Sequence, residues 1–183
     1  DTLKDGQKKI AYTTDPTDAT YVNDIISPML MNVKEFYVEE IDCNSATSDL
    51  SGFDMVLISE ITPSTAPITA NLEGINKPIL NMKVHAYKTA NEAWSWATAG
   101  FGDNTTATTI YVDEEFRSHP MFDGIELSDG EIKMVSAVDT KALTFMNPES
   151  FTDATGNINA IASVKGEDQV CILEIPVGNS VAG

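Results

Sequence analysis

Few side chains in this sequence have the chemistry of a catalytic group. The two histidines, His85 and His119, belong to the residue type that most often acts as a general base or a metal ligand. Lys83 could act as a nucleophile in an apolar site, and Glu60 supplies a carboxylate directly after an apolar run. A lone histidine in a loop is more often structural, and a surface lysine is more often solvated or salt-bridged. These four residues are therefore candidate catalytic groups without a recognisable constellation.

An acidic run provides the candidate metal ligands. Asp113, Glu114 and Glu115 follow a predicted strand, and carboxylate oxygens are the ligands that hard divalent cations prefer. A solvated charge run is the alternative interpretation.

A bound cofactor is not expected. Neither GxGxxG nor GxxxxGK[ST] occurs in the chain, so a glycine-rich phosphate loop is absent from the sequence. The hydroxyls of residues 13–20 could contact a phosphate, but Asp15 and Asp18 in the same segment would repel it. We therefore predict that the protein binds no flavin or nucleotide.

Cys43 and Cys171 are the two cysteines, and no CxxC motif or Cys/His cluster accompanies them. Each lies in or beside an apolar run, which favours two buried free thiols; a disulfide is the alternative.

Composition and charge restrict the class of partner. The 183 residues are 42% hydrophobic and 21% charged, as in ordinary globular domains, and the formal net charge is −17. Nucleic acid and anionic membranes attract basic surfaces, so neither is an expected partner. No apolar run reaches the roughly 18 residues that a membrane-spanning helix needs. A small molecule, a carbohydrate or a protein stays open as partner, as does a homodimer.

Strands and helices alternate in the first part of the chain. Apolar and β-branched runs predict strands, and the i, i+3, i+4 spacing of apolar residues predicts helices. The predicted strands are 8–14, 33–41, 53–59, 77–82 and 108–112, and the predicted helices are 21–31, 66–75 and 90–99. Pro28 predicts a kink or an early end in the first helix. This alternation is typical of a parallel sheet covered by helices on both faces.

The last third of the chain has a different pattern. Four strand-like segments follow one another with turns between them, at 132–138, 142–146, 158–164 and 170–175. Without long helices between them, these strands predict an antiparallel extension of the sheet. We therefore expect one α/β domain over residues 1–183, a flavodoxin-like three-layer sandwich with a mostly parallel central sheet. Its ligands would bind at the carboxyl ends of the strands.

Residues 77–87, KPILNMKVHAY, carry a resemblance to class I glutamine amidotransferases. That family has a strand ending in Pro-Val-Leu-Gly-Ile-Cys-Leu-Gly-His, whose cysteine sits on a nucleophile elbow. Residues 78–80 match the strand, and Lys83 falls on the cysteine. Glu60 and Ile61 replace the glycines of the family's Gly-Gly loop, and the resemblance covers about residues 8–125. It implies the fold but not glutaminase activity, because a lysine cannot form the required thioester.

The non-amidotransferase, ThuA-like branch of this superfamily is more similar. Residues 119–124, HPMFDG, resemble its His-Pro feature, and residues 54–59 resemble a strand of secreted bacterial members. The resemblance implies an exported bacterial protein, located outside the cell, in the periplasm or on the cell surface, with a further strand after Gly183. The leading hypothesis is a non-catalytic binding or structural domain. The alternatives are a ThuA-like hydrolase or carbohydrate-processing enzyme and an acidic cation-binding module.

Overall fold

A computed structural model describes residues 2–45, 49–68, 72, 75–87, 94, 101–136, 143–147 and 158–179. The chain divides into two compact units, Asp1–Trp94 and Ser95–Gly183, and each is considered by itself. The organisation as a single domain stays a prediction. No helix in the described ranges is both long enough and apolar enough to cross a membrane.

The first unit contains a parallel four-stranded sheet in the order β2-β1-β3-β4. Its strands are β1 (Lys8–Thr14), β2 (Phe36–Asp42), β3 (Met55–Ile58) and β4 (Ile79–Asn81). Four predicted strands are therefore confirmed, and β1 has the predicted bounds. This is the flavodoxin-like order, in which the chain reverses direction across the sheet between β1 and β3. A crevice is expected at the carboxyl ends of these two strands.

The helix predicted over 21–31 is interrupted in the structure. A 3₁₀ turn at Tyr21–Asn23 is followed by the short helix α1, Ile26–Met31. Asp24 has an extended backbone between them, and its Oδ1 accepts a hydrogen bond from the amide of Ile26 at 2.9 Å. The side chain thus starts a new helix instead of continuing the old one. Pro28 lies in the first turn of α1, where proline is tolerated.

The predicted apolar face of this segment is only partly buried. Ile26 and Leu30 pack against the β1 and β3 side chains Ile10, Tyr12 and Leu57. The remaining apolar residues of the predicted face are exposed, which corrects the periodicity argument: Val22, Ile25 and Met29. A six-residue helix is too short to turn all of them toward one sheet face. The helices predicted over 66–75 and 90–99 lie largely outside the described residues.

The second unit contains a separate six-stranded antiparallel sheet in the order β5-β8-β10-β9-β6-β7. Its strands are β5 (Phe101–Asn104), β6 (Thr109–Val112), β7 (Glu131–Lys133), β8 (Leu143–Met146), β9 (Asn159–Val164) and β10 (Val170–Glu174). The late strands exist as predicted, but they do not extend the parallel sheet.

The segment predicted as a fifth parallel strand, 108–112, is also corrected. It corresponds to β6, which pairs antiparallel with both β7 and β9. The described chain between β6 and β7 contains only two 3₁₀ turns, Glu114–Phe116 and Pro120–Phe122. A parallel connection usually requires a crossover helix, so this connection favours antiparallel pairing.

Gly130 has a specific role in the second unit. Its φ is +86°, and a Cβ atom built on it would lie 2.7 Å from Nη2 of Arg117. The same guanidinium contacts the carbonyl of Val112 at 3.4 Å, so it crosses directly over the turn before β7. Only a residue without a side chain fits both the backbone conformation and this close approach.

The Gly130→Ala substitution is therefore expected to lower the free energy of unfolding by about 1–3 kcal/mol, measured by urea denaturation. Gly166→Ala is the matched control, because Gly166 has a φ of +78° with nothing within 4 Å of its added Cβ. It should show the backbone strain alone, at about 1 kcal/mol. Equal losses in the two variants would show that the Arg117 contact does not matter.

Candidate functional site

A crevice of about 230 Å³ lies at the carboxyl edge of the parallel sheet. One wall is apolar and is formed by Ile26, Ile61 and Met82. The polar groups are Thr20, Asn23, Ser59, the hydroxyl-bearing Tyr12 and the carboxylates of Asp24 and Glu60. These residues come from β1, the segment before α1, and the loops after β3 and β4. The crevice therefore occupies the position that the strand order predicts for a ligand.

Tyr12 and Asp24 form the best-defined polar contact of this crevice. Tyr12 is buried in β1, and its hydroxyl donates a hydrogen bond to Oδ2 of Asp24 at 2.6 Å. Burial raises the pKa of Tyr12 far above its ordinary value, and the hydrogen bond to Asp24 adds to the effect. The phenol is therefore a permanent donor that fixes the orientation of the carboxylate. Neither residue of this pair was among the candidates predicted from the sequence.

A cluster of three hydroxyls lies beneath the crevice. Thr62 is fully buried and donates from Oγ1 to the carbonyl of Thr13 at 2.8 Å. Its oxygen also lies 3.1 Å from Oγ1 of Thr13 and 3.2 Å from Oγ of Ser59. One hydroxyl thus connects the ends of β1 and β3, the two strands that flank the reversal in strand order.

The loop after β1 satisfies its own hydrogen bonds. Oδ1 of Asp15 accepts from the amide and the hydroxyl of Thr17, at 2.9 and 2.7 Å. Asp18 accepts from the amide and the hydroxyl of Thr20 in the same way. These bonds hold the pKa of both carboxyls below its usual value, with a smaller contribution from the charge of Lys83 at Asp18. The threonine hydroxyls considered above for phosphate contact therefore serve the carboxylates.

Lys83 lies two residues after β4, at the elbow position that the sequence resemblance predicts. The side chain of Asn81 accepts from the amide of Lys83 at 2.9 Å and donates to its carbonyl at 3.0 Å, which fixes the turn. Nζ of Lys83 donates to the carbonyl of Glu60 at 2.6 Å and lies 3.4 Å from its carboxylate. An ammonium held in this way links the loops after β3 and β4 and does not present a free amine.

The two histidines fall in different units. His85 is half-buried in the 3₁₀ turn Val84–Tyr87 of the first unit. His119 begins the 3₁₀ turn Pro120–Phe122 of the second unit, where Nδ1 accepts from the amide of Met121 at 3.3 Å. Its Nε2 lies 3.5 Å from the carboxylate of Glu174. Both ring nitrogens of His119 are thus engaged in structural contacts. Catalytic roles for Glu60, Lys83, His85 and His119 stay predictions.

The acidic run after β6 does not form a metal centre in the part of the chain that the structure describes. Asp113, Glu114 and Glu115 are exposed, and Asp113 accepts a 3.5 Å hydrogen bond from the amide of Glu115 at the start of a 3₁₀ turn. Within the described ranges, no group of three His, Cys, Asp or Glu side chains could hold a metal ion. A cation role for this run stays a prediction.

Both thiols are free and hard to ionise. Cys43 is fully buried, and its burial, followed by the charges of Asp15 and Asp42, raises its pKa to about 11. Cys171 in β10 is half-buried, and burial raises its pKa to about 11 as well. The thiolate is the reactive form, so neither cysteine has the environment of a nucleophile.

We expect slow alkylation by iodoacetamide at pH 7, because a thiol of pKa about 11 is only about one part in ten thousand ionised there. The labelling rate should rise about tenfold per pH unit between pH 7 and 10. Both folded pKa values lie above the unfolded value of about 8.5, so the associated stability is complete below that pH and is lost as pH rises toward 11.

Mass spectrometry of the labelled protein would measure the rates, with Cys43→Ser and Cys171→Ser variants to assign each site. Protein unfolded in urea is the positive control and should be labelled rapidly at both positions. Rapid, selective labelling of one folded cysteine at pH 7 would contradict the prediction and indicate an activated thiol.

Comparison with known proteins supports the fold. No family model matches the sequence, and no curated protein sequence matches it. The solved structure of a candidate GMP synthase glutaminase-type chain from Thermoplasma acidophilum is similar, with a TM-score of 0.50 and 15% sequence identity. The match covers 93% of this chain and 79% of that chain. The likeness supports an amidotransferase-like α/β fold.

Proposed function

We propose that this chain is a non-catalytic ligand-binding domain built on an amidotransferase-like fold. The observation that carries the proposal is Lys83, which stands at the elbow with its ammonium bound to the carbonyl of Glu60 at 2.6 Å. A thioester requires a thiolate at this position, and an ammonium that donates hydrogen bonds offers no electron pair to a substrate. The elbow therefore serves as a clamp between two loops.

Two further features support a binding role. The crevice at the carboxyl edge keeps about 230 Å³ of open space, although Lys83 has closed the neighbouring elbow. Its groups are pre-oriented, since Asp24 is fixed by Tyr12 and by the amide of Ile26. Small-molecule sites are typically concave, largely apolar and supplied with a few placed polar groups.

Export and membership of the ThuA-like branch belong to the same proposal. They rest on the sequence resemblance of residues 54–59 and 119–124 and on the low content of basic residues. The enzymatic alternative, a ThuA-like hydrolase or carbohydrate-processing enzyme, is favoured by no contact in the described part of the chain. His119 lies in the second unit with both ring nitrogens engaged, whereas Glu60 and Lys83 are bound to each other.

Two measurements test the proposed function. The protein incubated with glutamine should release no more ammonia than the Cys43→Ser, Cys171→Ser double variant; a higher release would contradict the non-catalytic assignment. A fragment screen followed by the methyl NMR signals of Ile26, Ile61 and Met82 should give saturable shifts. A folded protein in which no fragment shifts these signals would contradict the binding role.

A further inference from the structure

The charge of the crevice restricts the class of ligand that it can accept. Its lining includes the carboxylates of Asp24 and Glu60 and no lysine, arginine or histidine. The whole chain has a formal charge of −17, so its field adds to the local negative potential. An anionic ligand would therefore be repelled both in approach and in place.

Asp24 is a carboxylate without a cationic partner. Its Oδ2 accepts from the neutral phenol of Tyr12 and its Oδ1 from the amide of Ile26. None of the ion pairs found among the described residues includes Asp24, whereas Glu60 is paired with Lys83. Each oxygen of an ionised carboxylate can accept a second hydrogen bond, so Asp24 keeps acceptor capacity for a ligand.

The opposite wall of the crevice requires an apolar body. Ile26, Ile61 and Met82 present aliphatic carbon and sulfur, which offer no hydrogen bond to the hydroxyls of a sugar. A bare metal ion fits no better, because no group of three metal ligands exists among the described residues. An alkyl chain satisfies this wall, and an ammonium group satisfies the carboxylate.

We propose that the crevice binds a small primary alkylammonium ion, an inference that rests on the proposed binding function. The ammonium donates to Asp24, and the hydroxyl and amide oxygens of Thr20, Asn23 and Ser59 provide further acceptors in the same lining. The alkyl body lies against Ile26, Ile61 and Met82. Tyr12 acts as a positioning residue, since its hydroxyl holds the carboxylate in the orientation that the ammonium meets.

A matched series of probes tests this assignment. Butylammonium, 1-butanol and pentanoate have the same four-carbon body and differ in the charge of the head group. We expect butylammonium to shift the methyl signals of Ile26, Ile61 and Met82 saturably and about tenfold more tightly than 1-butanol. Pentanoate should give no shift at these methyls. Added salt should weaken the binding of butylammonium and leave that of 1-butanol unchanged.

Two variants remove one negative charge each. Asp24→Asn keeps the size of the side chain and should reduce the affinity for butylammonium to that for 1-butanol. Glu35→Gln is the control, because Glu35 is exposed next to the start of β2, at the other edge of the sheet, and its variant should bind butylammonium like the unmodified protein. If Asp24→Asn does not fold, the salt dependence of the unmodified protein decides.

The outcomes separate this inference from the proposed function. Equal affinity for butylammonium and 1-butanol, or a preference for pentanoate, would overturn the cation assignment and leave a binding crevice of another specificity. Equal losses in Asp24→Asn and Glu35→Gln would also overturn it, since they would indicate a general charge effect. No shift of the three methyls by any of the probes would overturn it, and the same result for the whole fragment screen would overturn the proposed function too.

Discussion

The Ile161→Ala substitution is expected to lower the free energy of unfolding by about 2–5 kcal/mol. Ile161 lies in β9 with 0% of its surface exposed, in the core cluster that includes Ile110, Val112 and Leu143. Removing three carbon atoms there loses the transfer free energy of the buried surface and leaves a cavity. Strands on both sides of β9 limit how far the surroundings can close that cavity.

Ile125→Ala provides the control in the same unit. Ile125 is 47% exposed, so the same chemical change should alter the free energy of unfolding by only about 0.5 kcal/mol. Urea denaturation would give the free energies, and amide hydrogen exchange in β6 and β9 would show whether the loss is in this sheet. A similar loss in both variants would contradict the assignment of Ile161 to the core.

Sequence alone could predict the parallel sheet because its inner strands are buried on both faces. From Ile10 to Thr14 every residue of β1 is buried, and Val56, Leu57 and Ile58 of β3 are buried as well. A continuous apolar or β-branched run of this length is typical of a parallel strand between two helical layers. The run itself therefore predicts both the strand and its central position.

Strand direction in the second unit could not be read in the same way. The sequence of β6 would suit a parallel or an antiparallel neighbour equally, and its direction depends on β7 and β9, which follow much later in the chain. β5 escaped prediction altogether, since it contains Gly102, Asp103 and Asn104, residues with low strand propensity. Pairing with β8 stabilises it instead, through contacts that no local pattern encodes.

The candidate site divides along the same line. The place of Lys83 after β4 could be predicted, because it follows from counting residues along one strand. The contact between Tyr12 and Asp24 could not, because it depends on where the short segment before α1 packs against the sheet. A weak signal did exist: Tyr12 lies on the same face of β1 as Ile10, the face that carries α1, and its hydroxyl would need a partner there.

The buried hydroxyl cluster makes the second large prediction. Thr62→Val keeps the shape of the side chain and removes its hydroxyl, which donates to the carbonyl of Thr13 at 2.8 Å. That hydroxyl also lies within hydrogen-bond distance of the hydroxyls of Thr13 and Ser59, and the three residues are almost completely buried. Water does not replace a lost partner easily at such a site, and each unsatisfied group costs about 1–3 kcal/mol.

We therefore expect Thr62→Val to lower the free energy of unfolding by about 2–4 kcal/mol in urea denaturation. Thr65→Val is the matched control, since Thr65 is exposed three residues further on and should change stability by about 0.5 kcal/mol or less. Thr62→Ser keeps the hydroxyl and should lose only the contribution of one methyl group, about 1 kcal/mol. If Thr62→Val were no less stable than Thr62→Ser, the hydroxyl would not be what joins the ends of β1 and β3. Ser59 lines the crevice as well as the cluster, so in Thr62→Val the binding of butylammonium should weaken together with the stability.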